Sequence, residues 1–286
     1  MCKMPVSKTQ IDRLGDRLRE VREDPHTESD LRLLDDYRRS FGEAYEAVVR
    51  TIRQRGEFPT GRLAKSTVSI VEKLRRESIR LSQMQDIAGC RVVVVNVVRQ
   101  EQFVASLKTD FPGASLIDRR DNPSYGYRAV HIIAMISGMP VEIQVRTSLQ
   151  HLWAELSEKS SDVLDPTIKY GGGPAEWRSY LTSSSKSVAA YEDLEKKSSI
   201  AVAAYEVMVA VHEDIKKATA ELLEHQLPDH EVQEIRGKLE DSTRKMERAE
   251  LEVQDMQDEM VRLWNVNADR LKETISWLDK LKGQKQ

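Results

Sequence analysis

The chain has 286 residues, of which 32% are charged and 6% aromatic, and its formal net charge is −3. It contains no apolar run long enough to cross a bilayer and no apolar signal-peptide core near the N-terminus. The two cysteines, Cys2 and Cys90, cannot build a disulfide framework or a zinc site on their own. We therefore expect a soluble, cytoplasmic protein of one large or two modest domains, with no membrane contact.

The small net charge hides an uneven distribution of charged residues. Residues 1–85 contain 18 Lys and Arg against 14 Asp and Glu, and residues 86–147 contain 7 against 6. Residues 148–286 contain 19 against 27. A basic N-terminal part favours ligands that carry phosphate, whereas an acidic helical tail is typically just solvated.

The first part of the chain is predicted to be helical. Apolar residues three or four apart predict a helix that Pro25 interrupts, a second helix over 31–48 and a third over 68–80. Gly and Pro residues at 56–61 mark a loop between the second and third helices.

Strands follow the helical part. The predicted elements are a central buried strand at 91–98, a helix over 101–109, a short strand at 116–118, and strands at 127–136 and 140–147 joined as a hairpin at 137–139. This order predicts an α+β fold, with helices packed on a mixed sheet.

The residues after 147 are predicted to be almost entirely helical. The Gly-Gly-Gly-Pro segment at 171–174 marks a boundary, a long helix follows over 175–225, and Asp229 is the expected N-cap of a last helix. That last helix has an apolar heptad row that Ser242 interrupts, which is typical of a coiled coil or an antiparallel helical hairpin. We therefore predict N-terminal helices over 1–60, a core over 61–173 and a helical tail over 174–286.

The predicted hairpin carries the most informative residues. Because strand side chains alternate between faces, Glu142, Gln144 and Arg146 share one face, and Tyr127 and His131 share a face of the preceding strand. A solvated outer face is the ordinary explanation of such alternation. One face of the hairpin would gather five chemically distinct groups, which favours a functional site instead: a carboxylate, an amide, a guanidinium, an imidazole and a phenol ring.

Two further groups of residues suggest phosphate chemistry. Asp86, just ahead of the buried strand, suits Mg²⁺ if it pairs with Glu142, although its position alone favours a turn or cap aspartate. The second group would form one stripe on a helix, and that stripe either holds a polyphosphate or is a solvated face: Lys65, Ser69, Lys73 and Arg76. The chain has neither a P-loop nor a GxGxxG motif.

Three segments in order resemble the synthetase domain of the RelA/SpoT family. They are QDIAGCR at 85–91, GYRAVH at 126–131 and EIQVRT at 142–147, and WAE at 153–155 is also similar to that family. The resemblance implies a nucleotidyltransferase-like mixed sheet flanked by helices, followed here by a long C-terminal helical hairpin. It also implies a GTP pyrophosphokinase that moves pyrophosphate from ATP to the 3′-hydroxyl of GTP or GDP and so makes (p)ppGpp, the alarmone of the stringent response.

The resemblance also implies roles for individual residues. Asp86 and Glu142 are the catalytic residues and Mg²⁺ ligands, with Glu142 as the general base. Two sets of binding residues remain: for ATP, Arg62, Lys65, Ser69, Lys73, Arg76 and Arg91, and for the acceptor, Arg120, Tyr127, His131, Gln144 and Arg146.

The acceptor loop departs from the family pattern and leaves an alternative open. The family commonly has Lys-x-Asn before its Gly-Tyr, where this chain has Pro123 and Tyr125. A toxic branch of the same family modifies the 3′-CCA end of tRNA, and six arginines could bind the acceptor stem: Arg13, Arg17, Arg19, Arg22, Arg38 and Arg39. A third alternative is an inactive scaffold that acts through its helical tail. The tail could form a homo-dimer or tetramer or bind a protein partner.

Overall fold

The structure is a computed structural model that describes residues 7–20, 27–225 and 228–284. Cys2, Arg22 and Pro25, which entered the sequence predictions, lie outside these ranges. The chain divides into two compact units, Met1–Ala154 and Glu155–Gln286. This boundary precedes the glycine-rich segment at 171–174, and the three-part division into residues 1–60, 61–173 and 174–286 stays a prediction.

Three helices open the first unit: α1 (Lys8–Arg19), α2 (Glu28–Arg39) and α3 (Gly42–Gln54). Ser7 caps α1 with a reciprocal hydrogen bond to Gln10, and Thr27 caps α2. The predicted single helix over 31–48 is wrong: Ser40 and Phe41 keep helical dihedral angles, but the Phe41 amide bonds to the Arg38 carbonyl and the hydrogen-bond ladder is interrupted there. The apolar stripe continues across this break, which is why its spacing alone did not reveal the break.

A five-stranded sheet forms the centre of the first unit. Its strands are β1 (Thr60–Arg62), β2 (Ala88–Val94), β3 (Ser115–Asp118), β4 (Val130–Ile136) and β5 (Met139–Thr147). They lie in the order β1-β2-β5-β4-β3; only β2 and β5 are parallel, so the sheet is mixed, as predicted. β5 is therefore the central strand, not β2.

Two helices connect the strands: α4 (Thr67–Arg76) and α5 (Val97–Asp110). The strand predicted over 91–98 runs too far, because Asn96 accepts a hydrogen bond from the Arg99 amide and starts α5 there. Likewise, the helix predicted over 68–80 ends at Arg76. The loop predicted over 56–61 contains part of β1.

One apolar core joins the N-terminal helices to one face of the sheet. Ile11 and Leu14 of α1, Phe41, and Ile132 and Ile143 of the sheet are fully buried in it. The opposite face carries the even-numbered side chains of β5. The core therefore fixes which face of the sheet is left for polar residues.

The second unit is helical. It contains most of α6 (Ser148–Val163), then α7 (Ala175–Leu223) and α8 (Asp229–Gln284). The last two helices pack against each other as the predicted hairpin. The heptad residues of α8, such as Leu239 and Met246, are less exposed than their neighbours. Among the described residues, no helix has the length and apolar character needed to span a membrane.

Candidate active site

The strand register brings the predicted polar residues onto one face of the sheet. Gly89 and Arg91 of β2 pair with Glu142 and Gln144 of β5, and Gln144 pairs with His131 of β4. Directly paired residues point to the same side of a sheet. Arg62 of β1 pairs with Gly89 and so extends this face to the sheet edge. The alternation predicted from the sequence is thus confirmed, and we call five side chains on this face the polar surface: Arg91, His131, Glu142, Gln144 and Arg146.

Glu142 lies at the centre of this surface, and neighbouring side chains hold it from two sides. Nδ1 of His131 lies 2.8 Å from its Oε1, and Nε2 of Gln144 donates to its Oε2 at 2.8 Å. Burial acts to raise the pKa of Glu142, but the hydrogen bonds from His131 and Gln144 outweigh it and leave the pKa below its ordinary value. Glu142 is therefore an ionised, oriented carboxylate at neutral pH.

Tyr127 and Arg146 continue the same hydrogen-bond network. The Tyr127 hydroxyl lies 2.9 Å from Nε2 of His131 and accepts a hydrogen bond from Nη2 of Arg146 at 2.8 Å. The Arg146 guanidinium also donates to Gln144 at 2.8 Å and lies 4.9 Å from the centre of the Tyr127 ring. One face of the Tyr127 ring is thus covered by a cation, and burial raises the pKa of its hydroxyl.

Arg146 has an open donor within this network. Its side chain is 2% exposed, and among the described residues its Nη1 is buried without a hydrogen-bond partner. A buried donor of this kind calls for a specific explanation, since an unmade hydrogen bond to a charged group is costly. An anionic or carbonyl ligand on the polar surface would supply the missing acceptor.

Asp86 lies just before β2 and is held by two lysines. Lys65 Nζ is 2.6 Å from its Oδ2, and Lys73 Nζ is 2.9 Å from its Oδ1. Burial alone would raise the pKa of Asp86, but the charges of Lys65 and Lys73 lower it below its ordinary value. The backbone amide of Lys65 donates to the Ile87 carbonyl at 2.7 Å, which places the lysine beside the aspartate.

The remaining predicted residues make contacts of their own. Ser69 is in the first turn of α4, where Ser66 caps its amide, and Lys73 follows one turn later. Arg76, in the last turn, pairs with Glu77. Arg120 binds Asp118 and donates to Gln100 at 3.2 Å, contacts that differ from those of the Glu142 network.

Gln100 of α5 supports β5 and was not predicted from the sequence. Gln100 is fully buried and donates to the Val145 carbonyl and to Gln150, each at 2.8 Å. This holds the backbone between Gln144 and Arg146 in place. The signal was available in the sequence, since Gln100 is a polar residue on the otherwise apolar inner face of α5.

The donor set suits a magnesium ion that substrate phosphates help to bind. Within the described ranges, no group of three or more His, Cys, Asp or Glu residues is placed to hold a metal. Asp86 and Glu142 are two carboxylates close enough for the charge of Asp86 to act on the pKa of Glu142. Mg²⁺ commonly takes one or two protein carboxylates and completes its shell with waters and phosphate oxygens.

Parts of this chain are similar to known proteins. Residues 61–161 match the model of a region found in RelA/SpoT proteins. An uncharacterized protein of Mycobacterium tuberculosis is 38% identical over 117 residues, which cover 40% of this chain and 43% of that protein. A probable chloroplastic GTP diphosphokinase of Arabidopsis thaliana is 34% identical over 96 residues, or 32% of this chain and 13% of the plant protein.

A solved structure is also similar. The small alarmone synthetase 1 of Bacillus subtilis, in a crystal structure with its product pppGpp, is 25% identical with a TM-score of 0.46, and the likeness covers 62% of this chain and all of that one. The matched part of this chain spans about two fifths of the length of the mycobacterial relatives. Residues 61–161 are thus similar to a region found in RelA/SpoT proteins.

Proposed function

We propose that this protein transfers pyrophosphate from ATP to the 3′-hydroxyl of GTP or GDP. The observation that carries the proposal is the ionised, doubly held carboxylate of Glu142 beside the Arg146 guanidinium with its open donor. In this reaction, the acceptor oxygen forms a bond to the β-phosphorus of ATP. The bond between that phosphorus and the oxygen of the α-phosphate breaks, and AMP leaves.

Glu142 accepts the proton that the 3′-hydroxyl loses. A carboxylate with a lowered pKa is a weak base, but it is fully ionised and can orient the hydroxyl for in-line attack. His131 and Gln144 fix the two carboxylate oxygens, so a substrate hydroxyl meets a defined acceptor geometry. Positioning of this kind contributes much of the rate in phosphoryl-type transfers.

Cationic side chains bind the donor. Lys65 and Lys73 flank Asp86, and Arg62 and Arg91 lie on the adjoining strands β1 and β2, so four positive groups border the place where a triphosphate would lie. Ser69 at the start of α4 adds a hydroxyl near the positive end of the helix dipole. Mg²⁺ held by Asp86 and Glu142 would neutralise charge on the phosphate oxygens.

The acceptor binds on the side of Tyr127. One face of its ring is covered by Arg146, and we assign the other to stacking on the acceptor base. Arg146 Nη1 and Gln144 offer donors to the ribose or phosphates of the same nucleotide, and His131 connects the Tyr127 hydroxyl to Glu142.

A second acceptor, the 3′ end of tRNA, is favoured by one observation. Tyr125 has a φ of 54° and is 62% exposed, in the tight turn directly before Tyr127. An exposed aromatic ring can stack on an unpaired base, and the left-handed backbone holds this ring out from the turn. Several arginines proposed for the acceptor stem are already engaged, since Arg17 pairs with Asp30 and Arg38 with Asp35. GTP or GDP is therefore the first assignment.

One labelling experiment distinguishes these acceptors. The purified chain is incubated with Mg²⁺ and γ-labelled ATP together with GTP, GDP or bulk tRNA. We expect label on GTP or GDP. Label on tRNA alone would overturn that assignment in favour of the second, and label on none of them would leave a scaffold that acts through its helical tail.

A matched pair of variants tests the general base. Glu142→Gln keeps the shape of the side chain but cannot accept a proton, so we expect transfer to fall by about 10²–10⁴-fold. ATP binding, measured by calorimetry, should change little. Glu72→Gln, on the exposed face of α4, is the control and should keep full activity. Undiminished turnover in Glu142→Gln would remove Glu142 from this role.

A further inference from the structure

The long helix α7 carries a second apolar heptad row that does not face α8. The row consists of Ala201, Ala204, Met208, Val211, Ile215, Ala218 and Leu222. Its spacing alternates between three and four residues, as in a coiled-coil seam. Six of its seven members are exposed, including Val211 at 51% and Leu222 at 47%. We call these seven residues the outer row.

The seam between α7 and α8 uses the neighbouring row of α7, shifted by one residue. Val202, Tyr205 and Val209 are half-buried there, and His212 is 6% exposed. Nδ1 of His212 lies 3.0 Å from the hydroxyl of Ser242, the residue that interrupts the heptad of α8. This row therefore makes the contact with α8. Within the described part of α7, the outer row takes no part in that contact and is largely exposed.

The outer row is more apolar than the row that α8 covers. All seven of its members are apolar, whereas the row against α8 contains the buried polar residues His212 and Thr219. Val207 and Ile200, at 64% and 70% exposure, lie beside the outer row and widen it. The patch extends over about 30 Å of helix, at roughly 1.5 Å per residue. Monomeric proteins seldom leave a continuous apolar stripe of this size in water.

We propose that the outer row binds the outer row of a second copy of this chain in antiparallel orientation. The charges at its ends point to this occupant. Lys197 lies just before the row and Glu221 near its end, and both are exposed. A two-fold axis between Met208 and Val211 sets Lys197 of one copy beside Glu221 of the other, whereas a parallel pair would set like charges together.

The residues of the row match one another about such an axis. Met208 of one copy lies opposite Val211 of the other, the large Ile215 lies opposite the small Ala204, and Ala201 lies opposite Ala218. Glu206 and Glu213 point away from this stripe, because they lie on the opposite side of the heptad. The contact uses the same surface on both copies, as a two-fold interface requires.

The mass of the full chain in solution tests this proposal. Light scattering after size exclusion, with about 1–100 µM protein, should show a dimer or a larger assembly that contains this contact. Val211→Asp places a charge in the row at an exposed position, so we expect dissociation at a concentration at least about tenfold higher. Leu251→Asp, at a residue of α8 that is 66% exposed, is the matched control and should leave the mass unchanged. Circular dichroism checks that both variants stay helical.

A charge exchange distinguishes a second copy from any other partner. Lys197→Glu and Glu221→Lys should each weaken association, and the double variant should restore it to within about threefold of the wild type. A wild-type chain that stays monomeric over the whole range overturns the proposal, whatever else binds this face. So does a double variant that associates no better than the weaker single variant.

Discussion

Lys73 on α4 donates to Oδ1 of Asp86 at 2.9 Å, so the carboxylate assigned to the metal is already neutralised by a neighbouring ammonium group. Lys65 holds the other oxygen at 2.6 Å. A divalent ion that binds Asp86 competes with these lysines for the carboxylate oxygens. When ATP enters with the metal, its phosphates offer the displaced ammonium a new partner. The geometry therefore favours entry of metal and ATP together.

The first prediction concerns metal binding without nucleotide. Lys73→Met frees one oxygen of Asp86 and removes a positive charge, so affinity for Mn²⁺ alone should rise by about tenfold, the equivalent of one hydrogen bond to a charged group. Titration followed by electron paramagnetic resonance measures this without any turnover. Lys108→Met, on the exposed face of α5, is the control. Equal Mn²⁺ affinity in Lys73→Met and wild type would contradict the competition.

The second prediction concerns the Tyr127 hydroxyl. Tyr127→Phe keeps the ring but removes the oxygen that accepts from Arg146, which is 2% exposed. We expect the free energy of unfolding to fall by about 1–3 kcal/mol, because a buried charged donor loses its partner. The acceptor KM should rise while ATP affinity stays unchanged, since Tyr127 lies on the acceptor side.

Denaturation and steady-state kinetics measure the two effects of Tyr127→Phe separately. Tyr45→Phe, in α3, serves as the control for a lost phenol hydroxyl elsewhere in the same unit. If Tyr127→Phe changed ATP affinity and left the acceptor KM unchanged, the assignment of the acceptor side would be wrong.

The third prediction is a pH dependence of stability. The pKa values of Asp86 and Glu142 lie below their ordinary values in the folded chain. Above the ordinary value both groups are ionised in both states, so their native contacts contribute in full. As the pH falls through the folded pKa, the folded state must take up protons that the unfolded state already holds, and this stability is lost.

The Glu142→Gln variant measures the share that Glu142 contributes. Its unfolding free energy should depend less steeply on pH than that of the wild type between about pH 5 and pH 3. Glu240→Gln, exposed on α8, should follow the wild-type curve. Parallel curves for Glu142→Gln and the wild type would show that Glu142 titrates alike in the folded and unfolded states.

The sequence predicted the polar surface well because a strand has a simple period. Glu142, Gln144 and Arg146 alternate with apolar residues, and the register then carries Arg91 and His131 to the same face. Tyr127 was predicted to share that face by strand alternation, yet β4 begins only at Val130. The turn at Tyr125 and Gly126 delivers the Tyr127 ring instead, and strand periodicity does not describe turns.

Contacts between separate helices and strands could not be predicted from the sequence. Lys65 and Lys73 were predicted to hold ATP, but nothing in their spacing shows that both reach Asp86 across the turn before β2. The edge strand β1 was missed for a related reason. It has only three residues, one of them Gly61, and it exists because its backbone pairs with Cys90 and its neighbours in β2.

The last prediction uses this pairing. A Cβ atom added to Gly61 would lie 2.6 Å from both the Cys90 Cα and the Gly89 carbonyl oxygen, which are backbone atoms of β2 that cannot turn aside. Gly61→Ala should therefore push β1 off the sheet, at a cost of about 1–3 kcal/mol in unfolding free energy. Because Arg62 is the next residue, ATP affinity should fall as well.

Gly42→Ala provides the same chemical change without the clash. Gly42 is the first residue of α3, and a Cβ atom there meets nothing within 4 Å, so alanine should stabilise the helix by up to about 0.5 kcal/mol. The two substitutions should thus shift denaturation midpoints in opposite directions, and only Gly61→Ala should weaken ATP binding in calorimetry. Unchanged ATP affinity in a destabilised Gly61→Ala would show that β1 and Arg62 lie outside the donor site.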